Sequence, residues 1–242
     1  MLKGCLPILL FFFFGIEPVF AAQQLSFSGY TWNVKSSSDS VGPGPNYFSD
    51  SHDNVWLDDK GWLHLKITER NGQWYCSEVF TNQSLGYGKY IFYVVGKIDE
   101  LNENVVMGNF VFDKTNPPYY SEIDMEFSKW GNPDNDNAVY VVQPDYVNGN
   151  RNSFTMTLGG GYSTHLFDWR PDSVNFQSTH GHYAAPPYPW FSIHSWNYEG
   201  NYIPVPGDTR ARINLWLFRG APPSDGQEAE VIVKKFEFIP YN

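Results

Sequence analysis

Short runs rich in Val, Ile, Tyr, Phe and Trp alternate along this chain with clusters of Gly, Pro, Asn and Asp. That rhythm predicts strands separated by turns. The predicted strands are Val55–Leu57, Trp62–Thr68, Trp74–Phe80, Tyr87–Val95, Val105–Phe112, Glu122–Phe127 and Ala138–Gln143. Ser153–Leu158, His165–Trp169, Val174–Gln177, Ala211–Phe218 and Glu230–Phe238 follow. Asp58-Asp59-Lys60-Gly61 predicts a hairpin turn between two of them. No long segment carries a 3.6-residue apolar period with caps, so no helix is predicted. About a dozen strands at regular spacing predict an all-β jelly-roll sandwich of two packed antiparallel sheets. No linker or internal repeat interrupts residues 22–242, which read as a single domain.

Residues 181–206 break the rhythm. Pro186, Pro187, Pro189, Pro204 and Pro206 stand among Tyr183, Tyr188, Trp190, Phe191, Trp196, Tyr198 and Tyr202. The segment reads as a long functional loop, and its aromatics argue against disorder.

The first residues read as an export signal. Lys3 precedes an apolar run from Leu6 to Phe14, and Val19-Phe20-Ala21 offers small residues for cleavage. The run is too short for a comfortable membrane span, and nothing later in the chain is long and apolar enough to be one. Residues 1–21 are therefore expected to be a signal peptide. The mature chain of about 220 residues is expected in the periplasm or the medium, with no membrane partner. Its formal charge of -10 disfavours nucleic acid. No Lys/Arg cluster is visible in the sequence, so a neutral glycan is the favoured partner. After cleavage only Cys76 remains, which excludes an internal disulfide; it reads as a small buried hydrophobe. No Cys/His spacing suits zinc. No cofactor is required, and Asp134, Asp136 and Asp172 read as solvated loop acids rather than a structural calcium site.

The segment Ser121-Glu122-Ile123-Asp124-Met125-Glu126-Phe127 changes the picture. Strand side chains alternate faces, so Glu122, Asp124 and Glu126 share one face while Ile123, Met125 and Phe127 share the other. Three acids in a row repel one another, and acids are depleted in strands. Two readings of the triplet stand open: a solvated or cation-binding face, and a catalytic set. Glycoside cleavage needs a carboxylate to attack the anomeric carbon and a carboxylic acid to protonate the leaving oxygen. A third carboxyl between them tunes both, since neighbouring negative charge raises an acid's pKa. Positions i and i+4 lie roughly 13 Å apart on a flat strand, whereas a retaining mechanism brings its carboxyls to about 5–5.5 Å. The strand is therefore expected to line a curved, concave substrate cleft.

Glu122-Ile123-Asp124-Met125-Glu126 resembles the Glu-x-Asp-x-Glu signature of glycoside hydrolase family 16, the laminarinase and lichenase group. Glu78-Val79-Phe80-Thr81 with Gly86-Tyr87-Gly88-Lys89-Tyr90 is similar to that family's strand pair ahead of the active site. His165-Leu166-Phe167-Asp168-Trp169-Arg170-Pro171 and Asn214-Leu215-Trp216 resemble later strands. The resemblance implies a concanavalin A-like jelly roll and retention of anomeric configuration. It implies Glu122 as nucleophile, Asp124 as assisting carboxylate and Glu126 as general acid/base. It also implies Glu78, Asn214 and Trp216 as sugar contacts. Phe80 departs from it, standing where lichenases carry Arg.

Trp130 has the parity of the three acids if the strand runs that far, and reads as a sugar platform or a core contact. Gln143 reads as a hydrogen-bonding partner for sugar or as a turn residue. His165 reads as a structural histidine and Trp169 as core. Trp190 and Trp196 are expected to wall one end of the cleft. The expected activity is endo-hydrolysis of a β-1,3- or mixed-linked β-glucan by a monomer. The alternatives are a transglycosylase on the same scaffold and a non-catalytic carbohydrate-binding protein.

Overall fold

The computed structural model describes residues 23–113, 115 and 121–242; the expected signal peptide lies outside them. Sixteen strands are present among the described residues. They are β1 (Gln24–Phe27), β2 (Tyr30–Val34), β3 (Tyr47–Phe48), β4 (Val55–Leu57), β5 (Leu63–Arg70), β6 (Gln73–Thr81), β7 (Gly88–Val95) and β8 (Val105–Asp113). β9 (Ser121–Phe127), β10 (Ala138–Val142), β11 (Arg151–Phe154), β12 (Tyr162–Trp169), β13 (Val174–His180), β14 (Ser192–Tyr198), β15 (Arg210–Leu217) and β16 (Ala229–Pro240) complete the chain. Three single-turn 3-10 segments are the helical content among the described residues.

The strands follow the order β11-β10-β9-β8-β15-β6-β5-β16-β7-β12-β13-β14. β6 carries the path from one layer to the other. Its first residues, Gln73 to Tyr75, pair with β5, and Ser77 to Phe80 pair with β15. The two layers then face each other across one core. Ile123, Met125 and Phe127 of β9 and Ile213 and Leu215 of β15 contribute from one side. Phe92, Phe167, Phe176 and Phe236 contribute from the other. Tyr90 and Phe167 stack at 4.8 Å within this aromatic wall. The terminal strands nearly meet. His194 of β14 bonds Asn152 of β11 at 2.7 Å, and Tyr198 Oη donates to Asn150 Oδ1 at 2.8 Å. The sheet is thus curved almost into a barrel, the expected all-β jelly roll.

The structure corrects two strand assignments. Residues 181–206 contain β14, an edge strand paired with β13. The flanking prolines masked it, and its half-exposed Ser-Ile-His-Ser-Trp-Asn-Tyr pattern lacks a clean apolar alternation. The strand expected at Ser153–Leu158 begins earlier and ends at Phe154; beyond it Met156 and Leu158 are held by side-chain caps from Asn137 and Asp99. Trp169 is buried and donates its indole N–H to Pro204 O at 3.0 Å. His165 sits in the core between Ser163 Oγ at 2.9 Å and Ser178 Oγ at 2.7 Å. Burial lowers its pKa to about 3, so it is a neutral structural residue. Cys76 is buried, and burial pushes its thiol up to about 12.

Gly88 opens β7 between Trp169 of β12 and Pro240 of β16. A Cβ there would lie 2.5 Å from Ile239 O and 2.6 Å from the Phe238 ring, at φ +156°. Gly88→Ala is expected to destabilise the fold by about 1–3 kcal/mol, measured by chemical denaturation; an unchanged midpoint would contradict this packing.

Candidate active site

β9 is built by its own alternation. Its apolar residues are fully buried in the core, which turns Glu122, Asp124 and Glu126 to the opposite face. The neighbouring strands bring their partners into register. One row runs Glu78 of β6, Asn214 of β15, Gly108 of β8 and Glu126 of β9. The next runs Phe80, Arg212, Phe110 and Asp124, and Phe112 lies opposite Glu122. Gly108 makes the first row a hollow. A Cβ there would fall 2.5 Å from Asn214 Oδ1, so its missing side chain lets the Asn214 amide lie across the neighbouring strand.

These rows form the floor of a cavity of about 370 Å³. Glu122, Asp124, Glu126, Glu78, Asn214 and Trp216 all line it, as do Lys35, Gly42, Pro43, Phe110, Phe112 and Arg212. The three acids and three of the five expected binding residues are therefore brought together.

The other two do not line the cavity. β9 ends at Phe127, so strand parity does not reach Trp130, which adopts φ +47° in the following turn. Trp130 does not line the cavity; its ring lies under the Arg151 guanidinium at 5.6 Å. Gln143 follows β10 and donates from Nε2 to Asp124 Oδ2 at 3.1 Å. It holds the central acid rather than lining the cavity. Trp190 and Trp196 do not wall this cleft either: Trp196 stacks on Phe176 at 5.3 Å on the far layer, and Trp190 lies elsewhere.

A charged cluster was missed. Glu78 is buried with both oxygens engaged, Oε2 by Lys35 Nζ at 3.0 Å and Oε1 by Arg212 Nη1 at 2.7 Å. Arg212 also lies 4.8 Å over Phe80 and 5.2 Å over Phe112. Arg212 shares parity with Asn214 and Trp216 and was legible on that ground. Lys35 reaches the cleft from the far end of the sequence, and no local pattern marks it. Asn214 Oδ1 is buried without a hydrogen-bond donor among the described residues.

Burial and mutual repulsion set the protonation of the acids. Glu122 is raised to about 8, first by burial and then by Glu126, while Arg212 and a hydrogen bond from Asp124 pull it back. Asp124 is raised well above the carboxylate range by burial and by both neighbours. The hydrogen bond it donates to Glu122 raises it further and lowers Glu122. Burial raises Glu126 to about 7, against the pull of Arg151. Among the described residues no group of three or more His, Cys, Asp and Glu side chains is arranged to hold a metal ion.

Acids with raised pKa values bind more protons folded than unfolded, so the stability they contribute is lost as pH rises through about 7 and 8. His165, His182 and His194 are lowered and act in the opposite sense, but only below their unfolded pKa of 6.5. Between pH 7 and 8 the Tm is expected to fall, and Glu122→Gln to flatten that fall. Identical slopes for the two proteins would contradict the raised value.

No protein-family model matches the chain, and no curated protein matches it in sequence. Solved structures do match in shape. A β-glucanase of Bacillus licheniformis superposes with TM-score 0.65 at 18% identity, covering 92% of this chain and 100% of that one. A β-1,3-1,4-glucanase (lichenase) from a mouse hindgut metagenome gives TM-score 0.62 at 17% identity, covering 87% of this chain and 93% of that one. A Mycobacterium tuberculosis protein described as an immunostimulatory antigen and pseudo β-1,3-glucanase gives 0.62 at 18%, covering 87% and 91%. The chain has the curved jelly-roll fold that these proteins share.

Proposed function

We propose that this chain is a glycoside hydrolase of family 16: an exported, endo-acting, retaining enzyme that cleaves β-1,3 or mixed-linked β-glucan. One observation carries the reading. Glu122, Asp124 and Glu126 project from a single strand into one cavity, and Asp124 donates a hydrogen bond to Glu122. A sheet that only bound sugar would gain nothing from three mutually repelling acids.

Glu122 is the nucleophile in this reading, attacking the anomeric carbon to form a glycosyl-enzyme ester. Glu126 protonates the leaving oxygen and then deprotonates the incoming water. Their values, about 8 and about 7, order the pair the other way. The roles are assigned from the partners instead. Asp124 donates a hydrogen bond to Glu122, and Arg212 stands beside it; both favour the ionised form that attacks. Among the described residues Glu126 has no carboxylic acid donating to it, and burial raises it to about 7 against the pull of Arg151. Gln143 fixes Asp124, and so indirectly the direction of its proton.

The unpartnered Asn214 Oδ1 is an acceptor awaiting a hydroxyl donor, and Trp216 and Phe110 offer ring surface beside it. A neutral sugar chain supplies both chemistries. Glu78 offsets one of the two positive charges of Lys35 and Arg212, and Arg212 also faces Glu122 of the acidic row, which argues against an anionic polymer. The N-terminal export signal, the monomeric state and the absence of a required cofactor belong to the same reading.

A reducing-sugar assay over glucan, xyloglucan and galactan is expected to give activity on a β-glucan. Glu122→Gln should lower kcat by about 10⁴-fold or more with folding intact, and Glu126→Ala should slow both steps and recover in part with azide. Undiminished turnover by Glu122→Gln would remove this residue from the chemistry.

A further inference from the structure

A second cavity lies away from the acids, where β12 begins, β13 ends and the turn before β14 folds over them. It measures about 360 Å³ and is lined by Gly159, Gly160, Gly161, Tyr162, His180 and Trp190 among others. Trp190 is 71% exposed, and Tyr188, Tyr162 and Tyr183 around it are also exposed. Tyr188 backs the indole in a nearly parallel stack, 4.8 Å between centroids at 3°. The ring is therefore fixed by a partner yet left open to solvent. An exposed aromatic of this size costs solvation, and here several gather around a hollow.

The three glycines are the second observation. None adopts a left-handed backbone, and a Cβ built on any of them meets nothing within 4 Å. Neither turn geometry nor internal packing asks for glycine there. Glycine at such positions adds chain entropy to the unfolded state without return from the fold. What it leaves is bare backbone along one wall of the hollow. That wall is anchored: Gly161 O accepts from Gly96 N at 2.9 Å, and Leu158 N donates to Asp99 Oδ2 at 2.8 Å. No Asp, Glu, Lys or Arg lines the cavity.

We propose that this hollow is a second glycan-binding site, separate from the catalytic cleft, in which a pyranose ring of a neutral polysaccharide stacks on Trp190. The chemistry points to that occupant. The apolar C–H face of a sugar matches the open indole face. The uncharged lining matches a neutral chain. The glycine backbone leaves room for hydroxyls to reach peptide N–H and C=O groups. Trp190 thus serves polymer capture instead of walling the cleft. The site also sits at the Glu126 end of β9. Ser128 N bonds Asn137 O at 3.0 Å, and the Asn137 side chain bonds Met156, just before the glycines. A long chain held here raises the local concentration of substrate at the cleft without any new contact to the scissile bond. The choice of probe rests on the proposed β-glucan specificity; the site itself does not.

The test is affinity electrophoresis in gels containing soluble mixed-linkage β-1,3-1,4-glucan, β-1,3-glucan or xyloglucan. The full-length Glu122→Gln protein is the parent, so the polymer stays intact. Adding Trp190→Ala, or Gly160→Leu to fill the hollow while keeping every ring, is expected to weaken retardation about tenfold in at least one gel. Calorimetric binding of a tetrasaccharide, short enough to occupy only the cleft, should be unchanged. Equal retardation of parent and both variants would overturn the proposal, as would an absence of retardation of the parent in every gel. Concentration-dependent dimerisation lost in Trp190→Ala with retardation intact would reassign the surface to a second copy of the chain. A wild-type chain that releases no product, yet whose Glu122→Gln form loses retardation with Trp190→Ala, would refute the hydrolase and leave this site standing.

Discussion

Three carboxyls held side by side on the outward face of β9 are the constraint around which this molecule is arranged. Such a row is unfavourable by itself, through repulsion and desolvation. The fold answers with protons and fixed partners. Asp124 sits deepest and keeps its proton, Gln143 orients it, and its hydrogen bond falls on Glu122. On the far side of the cleft Glu78 clamps Lys35 and Arg212, which stops those cations from collapsing onto the acids as simple ion pairs. Ion pairing of that kind would drive the carboxyl pKa values down and leave no acid able to hold a proton near neutral pH.

The core makes the row possible. Ile123, Met125 and Phe127 are buried beneath it, and a one-residue slip in β9 would send all three acids into the hydrocarbon interior. Register is thus specified by the burial of one face, and the chemistry of the other face is its by-product. Gly108 then adds shape: a single missing Cβ between Asn214 and Glu126 opens the floor where the strands would otherwise present a closed surface.

Much of this was legible from the residues alone. The period-2 pattern located most of the strands, and parity placed Glu122, Asp124, Glu126, Asn214 and Trp216 on cleft-facing positions. Parity failed where the strand stopped. Trp130 lies three residues beyond β9 in a turn with positive φ, a feature that apolar patterning does not encode. β14 escaped notice because prolines on both sides imitate a loop and an edge strand need not alternate cleanly. Lys35 was invisible for another reason: its place beside Arg212 is a product of β2 pairing with β6, and nothing near either residue in the chain announces the other. The same applies to Trp190. Its aromatic neighbourhood was evident, but which face of the sandwich it joined depended on β14 pairing with β13.

The central claim is that these three acids share protons as one buried set, with Asp124 holding its own. Carbon-13 NMR titration of the Glu and Asp carboxyls, assigned through Glu122→Gln, Asp124→Asn and Glu126→Gln, reads this directly. The account predicts an Asp124 carboxyl still protonated at pH 7, with Glu122 and Glu126 titrating well above the usual carboxylate range. Three independent titrations near pH 4 would contradict it.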